Sequence, residues 1–145
     1  MLKQAVEEEK NSEVDFNTVG CTANVVLIVP FEDGPTAFCA NAGDSRAVYA
    51  TTGKAKAFSF DHKPTNQKER QRIVKAGSFV NNEGRIDGNL NLSRAIGDME
   101  YKKKLRLKPE EQAITSFPDV RSIKLTKTHD FIAMGCDGIF EQYTN

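Results

Sequence analysis

Thr22–Val29 reads TANVVLIV, and the apolar segments that follow keep its character: Thr36–Ala42 is TAFCANA, Arg46–Ala50 is RAVYA and Ala55–Phe60 is AKAFSF. The first is β-branched and apolar at successive positions, which predicts a strand buried on both faces inside a stack of sheets. Turn signals separate the segments: Glu32-Asp33-Gly34-Pro35, Gly43-Asp44-Ser45 and Thr51-Thr52-Gly53-Lys54. Short strands joined by short turns, with no long amphipathic helix between them, predict an antiparallel meander and not a parallel α/β unit.

Beyond the meander, Asn66 followed by Glu69 has the form of a capping box, and Gly77 stands where a helix would stop. The spacing predicts a helix over Gln67–Ala76 with a narrow apolar face at Ile73 and Val74. Ser78–Asn81 and Arg85–Leu90 read as a small hairpin, Leu92–Ile96 as a helical turn, and the charged stretch Tyr101–Glu111 as an exposed loop. Val120–Leu125 and Phe131–Cys136 are the last two predicted strands. The expected fold class is therefore α+β with an antiparallel sheet core. Residues 1–18, acidic and poor in large apolar side chains, read as a polar tail or helix remnant, and residues 19–145 as one domain.

Composition narrows the function classes. The 145 residues carry 20 basic and 20 acidic side chains. That balance gives no overall polyanion-binding field. Few aromatic side chains accompany the basic run Lys102, Lys103, Lys104, Arg106 and Lys108, so stacking on nucleic-acid bases is not expected. No apolar run approaches the length needed to span a bilayer. Cys21, Cys39 and Cys136 form no C-x-x-C pair, which predicts three reduced, buried thiols in an intracellular protein.

Four places carry chemistry. Asp137 follows the apolar run Phe131–Met134 and is flanked by Cys136 and Gly138. A carboxylate delivered to the rim of a core in this way suits Mg²⁺ or Mn²⁺, and equally suits the cap of a helix starting at Ile139. Asp44 stands beside Gly43 at another strand end, as a turn residue or a second oxygen ligand. If the two strand ends share one edge, the two carboxylates can share a metal site. Arg94 offers a planar fork to a phosphate, or an ion pair to Asp98 at i+4. His62, in Asp61-His62-Lys63-Pro64, reads as an imidazole bonded to backbone in a turn. Ser93 has no histidine near it in sequence, which argues against a serine nucleophile.

In order along the chain, GCTANVVLI (20–28), FCANAGDSRAV (38–48), DHKP (61–64), ERQRIVKAGSFV (69–80), GRIDGNLNLSRAIGD (84–98), ITSFPDV (114–120) and DFIAMGCDGIF (130–140) resemble the metal-dependent protein serine/threonine phosphatases of type 2C. The resemblance implies two antiparallel sheets packed face to face, with flanking helices in an α-β-β-α layering. It implies an Mg²⁺ or Mn²⁺ centre at one edge and a phosphoserine or phosphothreonine protein as substrate.

On that resemblance Asp137 matches a metal-ligating aspartate and Asp44 the aspartate of an additional, weaker metal site. Glu141 stands where the family usually has a second aspartate, and Phe140 where it often has tryptophan. Arg94 and Asp98 match the S-R-A-x-G-D motif bordering the substrate groove. The family's DGHGG-type motif, its phosphate-holding arginine and its downstream D-N motif have no match in these residues. The chain is thus expected to be an incomplete catalytic domain with weak metal affinity and exposed sheet edges prone to self-association. The alternative is an inactive pseudophosphatase that binds phosphoproteins or a partner.

Overall fold

A computed structural model describes residue 15 and residues 17–145. Most of the expected tail or helix remnant lies outside the described residues. Its end is tied to the body: Glu100 N donates to Asn17 O, and Asp98 N to Val19 O.

Among the described residues, eight strands form three antiparallel sheets. The short strands β1 (Gly20–Cys21) and β6 (Ile96–Gly97) pair with each other. One three-stranded sheet has the order β2 (Ala23–Phe31), β3 (Gly34–Ala42), β7 (Asp119–Lys124). The other has the order β5 (Lys54–Ala57), β4 (Arg46–Thr51), β8 (His129–Gly135). The strands expected in the meander and at residues 120–136 are present, but the single meander is not, and the expected hairpin of Ser78–Asn81 and Arg85–Leu90 is reduced to the isolated bridges Val80–Ile86 and Ile86–Leu90. The corner Gly43-Asp44-Ser45 carries the chain from the first sheet to the second, so each sheet receives one hairpin and one late strand. Gly43, at φ 129°, makes that crossing in a backbone region that side-chain-bearing residues avoid.

The sheets meet through Ala37, Cys39, Ala47 and Phe58, with Val26, Tyr49, Ile123, Leu125 and Ile132 packed around them. This is a face-to-face β-sandwich in an α+β chain. Alternation along β3 buries Ala37, Cys39 and Asn41 on the inner face, as a period of two requires. β2 departs from the sequence expectation. It is an edge strand, and Val25 and Leu27 remain 57% and 60% exposed. Its second apolar face has no layer on it among the described residues. Cys21 and Cys136 are exposed, and only Cys39 is buried, against the expectation of three buried thiols.

Helix α1 (Gln67–Lys75) forms where predicted, with Gly77 at φ 84° beyond its end. Its apolar face is narrower than expected: Ile73 is fully buried and Val74 is exposed. Ile73 joins a second core cluster with Ile86, Ala95 and Ile114. Leu92–Ile96 is not a helical turn; Arg94 bridges Thr115 and Ile96 enters β6. Two 3₁₀ turns, Met99–Lys102 and Pro109–Glu111, break up the expected charged loop. The short helix α2 (Asp137–Phe140) ends the described fold. No helix among the described residues is long and apolar enough to cross a membrane.

Candidate metal centre

The pairing of β4 with β8 decides which edge the two aspartates share. Arg46, the first residue of β4, lies opposite Gly135, the last residue of β8. Asp44 precedes the one and Asp137 follows the other by two positions, so both leave the same edge of one sheet. This is the condition under which the two carboxylates can serve one site.

Asp44 is buried, and its Oδ2 accepts from Lys63 Nζ at 2.6 Å. Glu141 Oε1 lies 3.6 Å from the same ammonium. Burial alone would pull the Lys63 pKa down. The bond and charge of Asp44, with the fields of Glu141 and Asp137, outweigh burial and raise it. Two carboxylates thus flank one cation, and the charge of Asp137 adds to their field. Asp137 is the first helical residue of α2, and the position before it, Cys136, is the cap and makes no side-chain cap bond. The capping role considered for Asp137 is therefore not the one the helix uses.

The loop holding Lys63 is fixed on both sides. Arg46 donates Nε and Nη2 to the two oxygens of Asp61, each at 2.8 Å. His62 N donates to Gly43 O at 3.0 Å, and Gly43 N donates to His62 Nδ1 at 3.2 Å. The same Nδ1 lies 3.2 Å from Gly43 O, and the other ring nitrogen, Nε2, pairs with Asp119 Oδ2 at 3.2 Å. The backbone-bonded imidazole expected from the sequence is what the fold contains. Pro64 is fully buried. On the opposite side, the Arg46 guanidinium lies 4.9 Å from the centre of the Phe140 ring, next to Glu141. Asn41 braces the corner from below, donating to Gly43 O and Phe60 O.

Arg94 is not at this edge. Its guanidinium is buried and donates to Glu69, to Phe117 O and to Asp119 Oδ1. Asp98, the ion-pair partner considered from i+4 spacing, is not among these acceptors. Glu69 also departs from expectation: the capping box with Asn66 is not formed, and Asn66 Nδ2 donates to Asp61 O. The Glu69 carboxylate instead turns inward to Arg72, Arg94 and Ser93. Lys63 and Glu69 are the two residues whose roles sequence reading missed. Apart from Arg72, three residues after Glu69, their partners lie 19 or more residues away, beyond the reach of any local spacing rule.

The donors are of the chemical type a hard divalent cation takes. Asp44, Asp137 and Glu141 carry oxygens like those that bind Mg²⁺ and Mn²⁺, and the Lys63 ammonium between Asp44 and Glu141 is a positive charge already accommodated. Among the described residues no three Asp, Glu, His or Cys side chains close tightly enough to enclose an ion. Asp44 and Glu141 are grouped around Lys63 and not around a ready-made cavity.

Comparison with known proteins agrees with the fold and the order of the motifs. The family described as Protein phosphatase 2C matches residues 1–145. "Probable protein phosphatase 2C 6" of Paramecium tetraurelia is 54% identical over 129 residues, covering 89% of this chain and 42% of that protein. "Protein phosphatase 2C homolog 2" of Schizosaccharomyces pombe is 50% identical over 122 residues, covering 84% of this chain and 32% of that protein. The chain thus spans less than half the length of these relatives. Among solved structures, a phosphatase from a pathogenic strain of Toxoplasma gondii is similar with a TM-score of 0.65 and 38% identity, over 74% of this chain and 32% of that one. A serine-threonine phosphatase 2C from Toxoplasma gondii, at 20% identity and a TM-score of 0.67, covers 98% of this chain and 48% of its own and shares the fold. With a family match along its whole length, the chain belongs to the protein phosphatase 2C family.

Proposed function

We propose that this chain contributes Asp137, Asp44 and Glu141 to an Mg²⁺- or Mn²⁺-dependent centre that hydrolyses phosphoserine and phosphothreonine in proteins. The observation that carries the reading is that Asp44 and Glu141 flank one cation at the edge where β4 begins and β8 ends, the edge from which Asp137 also leaves. Asp137 and Asp44 would hold the ion from a fixed backbone, and Glu141 would close over it from α2. The bound ion supplies Lewis-acid stabilisation of phosphoryl charge and of a water poised for attack. Glu141 is the adjustable member, because its side chain is 55% exposed.

Arg94 takes a positioning role in this reading and not a substrate-binding one. Its donors are spent on Glu69, Phe117 and Asp119, so its work is to hold the start of β7 against α1 and the His62 loop. We further propose that the protein works inside the cell, that its ion binding is weak in these residues alone, and that it self-associates through the open edges of its sheets. A catalytically inactive phosphoprotein- or partner-binding role is the second reading. The absence of a tight three-ligand cluster among the described residues favours it for the chain by itself.

The test is Mn²⁺-dependent hydrolysis of a phosphothreonine peptide by this chain, beside an Asp137→Asn variant and a chelated control. Activity that requires both Mn²⁺ and Asp137 supports the enzyme. A folded chain that binds the phosphopeptide without turnover supports the inactive reading.

A further inference from the structure

We propose that Lys63 is a tethered counter-cation that occupies the Asp44–Glu141 side of the centre, and that a divalent ion binds there only by displacing it. The inference rests on the metal-centre reading above and concerns how that centre is regulated.

The geometry supports displacement over coexistence. Lys63 Nζ is 2.6 Å from Asp44 Oδ2 and 3.6 Å from Glu141 Oε1, the two oxygens that flank it. An ion bound to Asp44 at the ordinary Mg²⁺–oxygen distance of about 2.1 Å would lie close to the ammonium. At such a separation like charges repel strongly at any effective dielectric found in proteins. One of the two cations must leave. The backbone of Lys63 cannot move far, because Arg46–Asp61, His62–Gly43 and buried Pro64 pin the loop on either side. The side chain can: it is 29% exposed and rests on a flexible four-carbon stem.

The arrangement has a consequence for the ion-free protein. A buried carboxylate at a strand corner, left without a partner, would be costly to desolvate. Lys63 neutralises Asp44 when no ion is present, so the corner stays folded without metal. The same bond is the free energy an incoming ion must overcome, so it sets a floor on the ion concentration at which this side fills.

Mn²⁺ binding measured by calorimetry and electron paramagnetic resonance, on the wild type, Lys63→Gln and Lys63→Arg, tests the idea. Lys63→Gln is expected to bind Mn²⁺ about tenfold more tightly, the scale of releasing one half-buried ion pair. Lys63→Arg, which keeps the charge, should bind no more tightly than the wild type. Equal or weaker binding by a folded Lys63→Gln overturns the proposal while leaving the metal centre intact if the wild type binds. No binding by either protein overturns both.

Should Lys63→Gln fail to fold, lysine acetylation of the wild type read by mass spectrometry decides. Saturating Mg²⁺ should raise labelling of Lys63 severalfold relative to the exposed Lys54, and unchanged labelling overturns the displacement.

Discussion

Arg94 Nη2 lies 2.7 Å from Glu69 Oε1 inside the protein, and neither side chain is more than 10% exposed. The same carboxylate accepts from Arg72 Nη1 and Ser93 Oγ, each at 2.6 Å. Helix α1 is joined in this way to the segments around Ser93 and Asp119. Removing Glu69 leaves the buried Arg72 guanidinium without its anion and Arg94 with Asp119 alone. Glu69→Ala should therefore lower stability in urea by about 3–5 kcal/mol, or abolish a cooperative transition. Lys75→Ala breaks the exposed pair with Glu111 and should cost less than about 1 kcal/mol. Equal losses in the two variants would refute the network's role.

The network also fixes a direction of pH dependence. Burial pulls the Glu69 carboxyl upward, but hydrogen bonds from Arg94 and Ser93 and the charges of Arg72 and Arg94 outweigh it and hold it at about 2. Its ordinary value is 4.5. A carboxyl depressed in the folded state contributes stability that is full above the unfolded value and is lost as pH falls through the folded one. The contribution, on the order of 3 kcal/mol, should fade between about pH 4.5 and pH 2. Urea midpoints collected down that range should fall for the wild type and flatten for Glu69→Gln. Parallel curves would contradict the assignment.

The sequence carried the strands because their signal is local. TANVVLIV is β-branched and apolar at successive positions over a strand's length, and a turn signal bounds each run. The placement of Asp137 and Asp44 at strand ends was legible for the same reason: each is delivered by an apolar run to a glycine-flanked end. What was not legible depended on pairing. Nothing near Gly43 says that the next strand joins a different sheet, so the meander was a fair reading of local turns and a wrong topology. Glu69 satisfied the pattern of a capping box, yet two buried guanidinium groups offered its carboxylate more than one backbone amide does. β2 read as buried on both faces because its composition is that of a covered strand. Its outer apolar face remains a property of the chain, whatever lies against it.

Gly43 is the point where topology and site coincide. Its φ of 129° is closed to side-chain-bearing residues, and a Cβ there would run into the Thr22 methyl and come within 3.1 Å of the Arg94 carbonyl oxygen. Gly43→Ala should therefore destabilise the protein by more than about 2 kcal/mol and weaken Mn²⁺ binding, since Asp44 is the next residue. Gly53, also at positive φ but with nothing within 4 Å, is the control. Gly53→Ala should cost about 1 kcal/mol and leave Mn²⁺ binding unchanged. Calorimetric melting and Mn²⁺ titration of the two variants check this, and equal effects would remove the special status of the corner.

The edge strand β2 supplies the last prediction. Val25, Leu27, Ile28 and Phe31 are each about half exposed or more, on a strand with a neighbour on one side only. Unpaired backbone groups beside apolar side chains form a template for another strand, and natural edges are often protected by a lysine. β2 has no charged residue between Ala23 and Phe31, and Pro30 near its end removes one donor only. The wild type should therefore show concentration-dependent association in sedimentation velocity. Leu27→Lys places a charge on the exposed face without touching the inner cluster, which Val26 faces. It should shift the protein toward monomer while leaving the melting temperature of dilute samples nearly unchanged. A wild type that stays monomeric at high concentration would sink the edge as an association surface. Association that persists in Leu27→Lys would move it to another face, with the exposed Phe131 of β8 next to test.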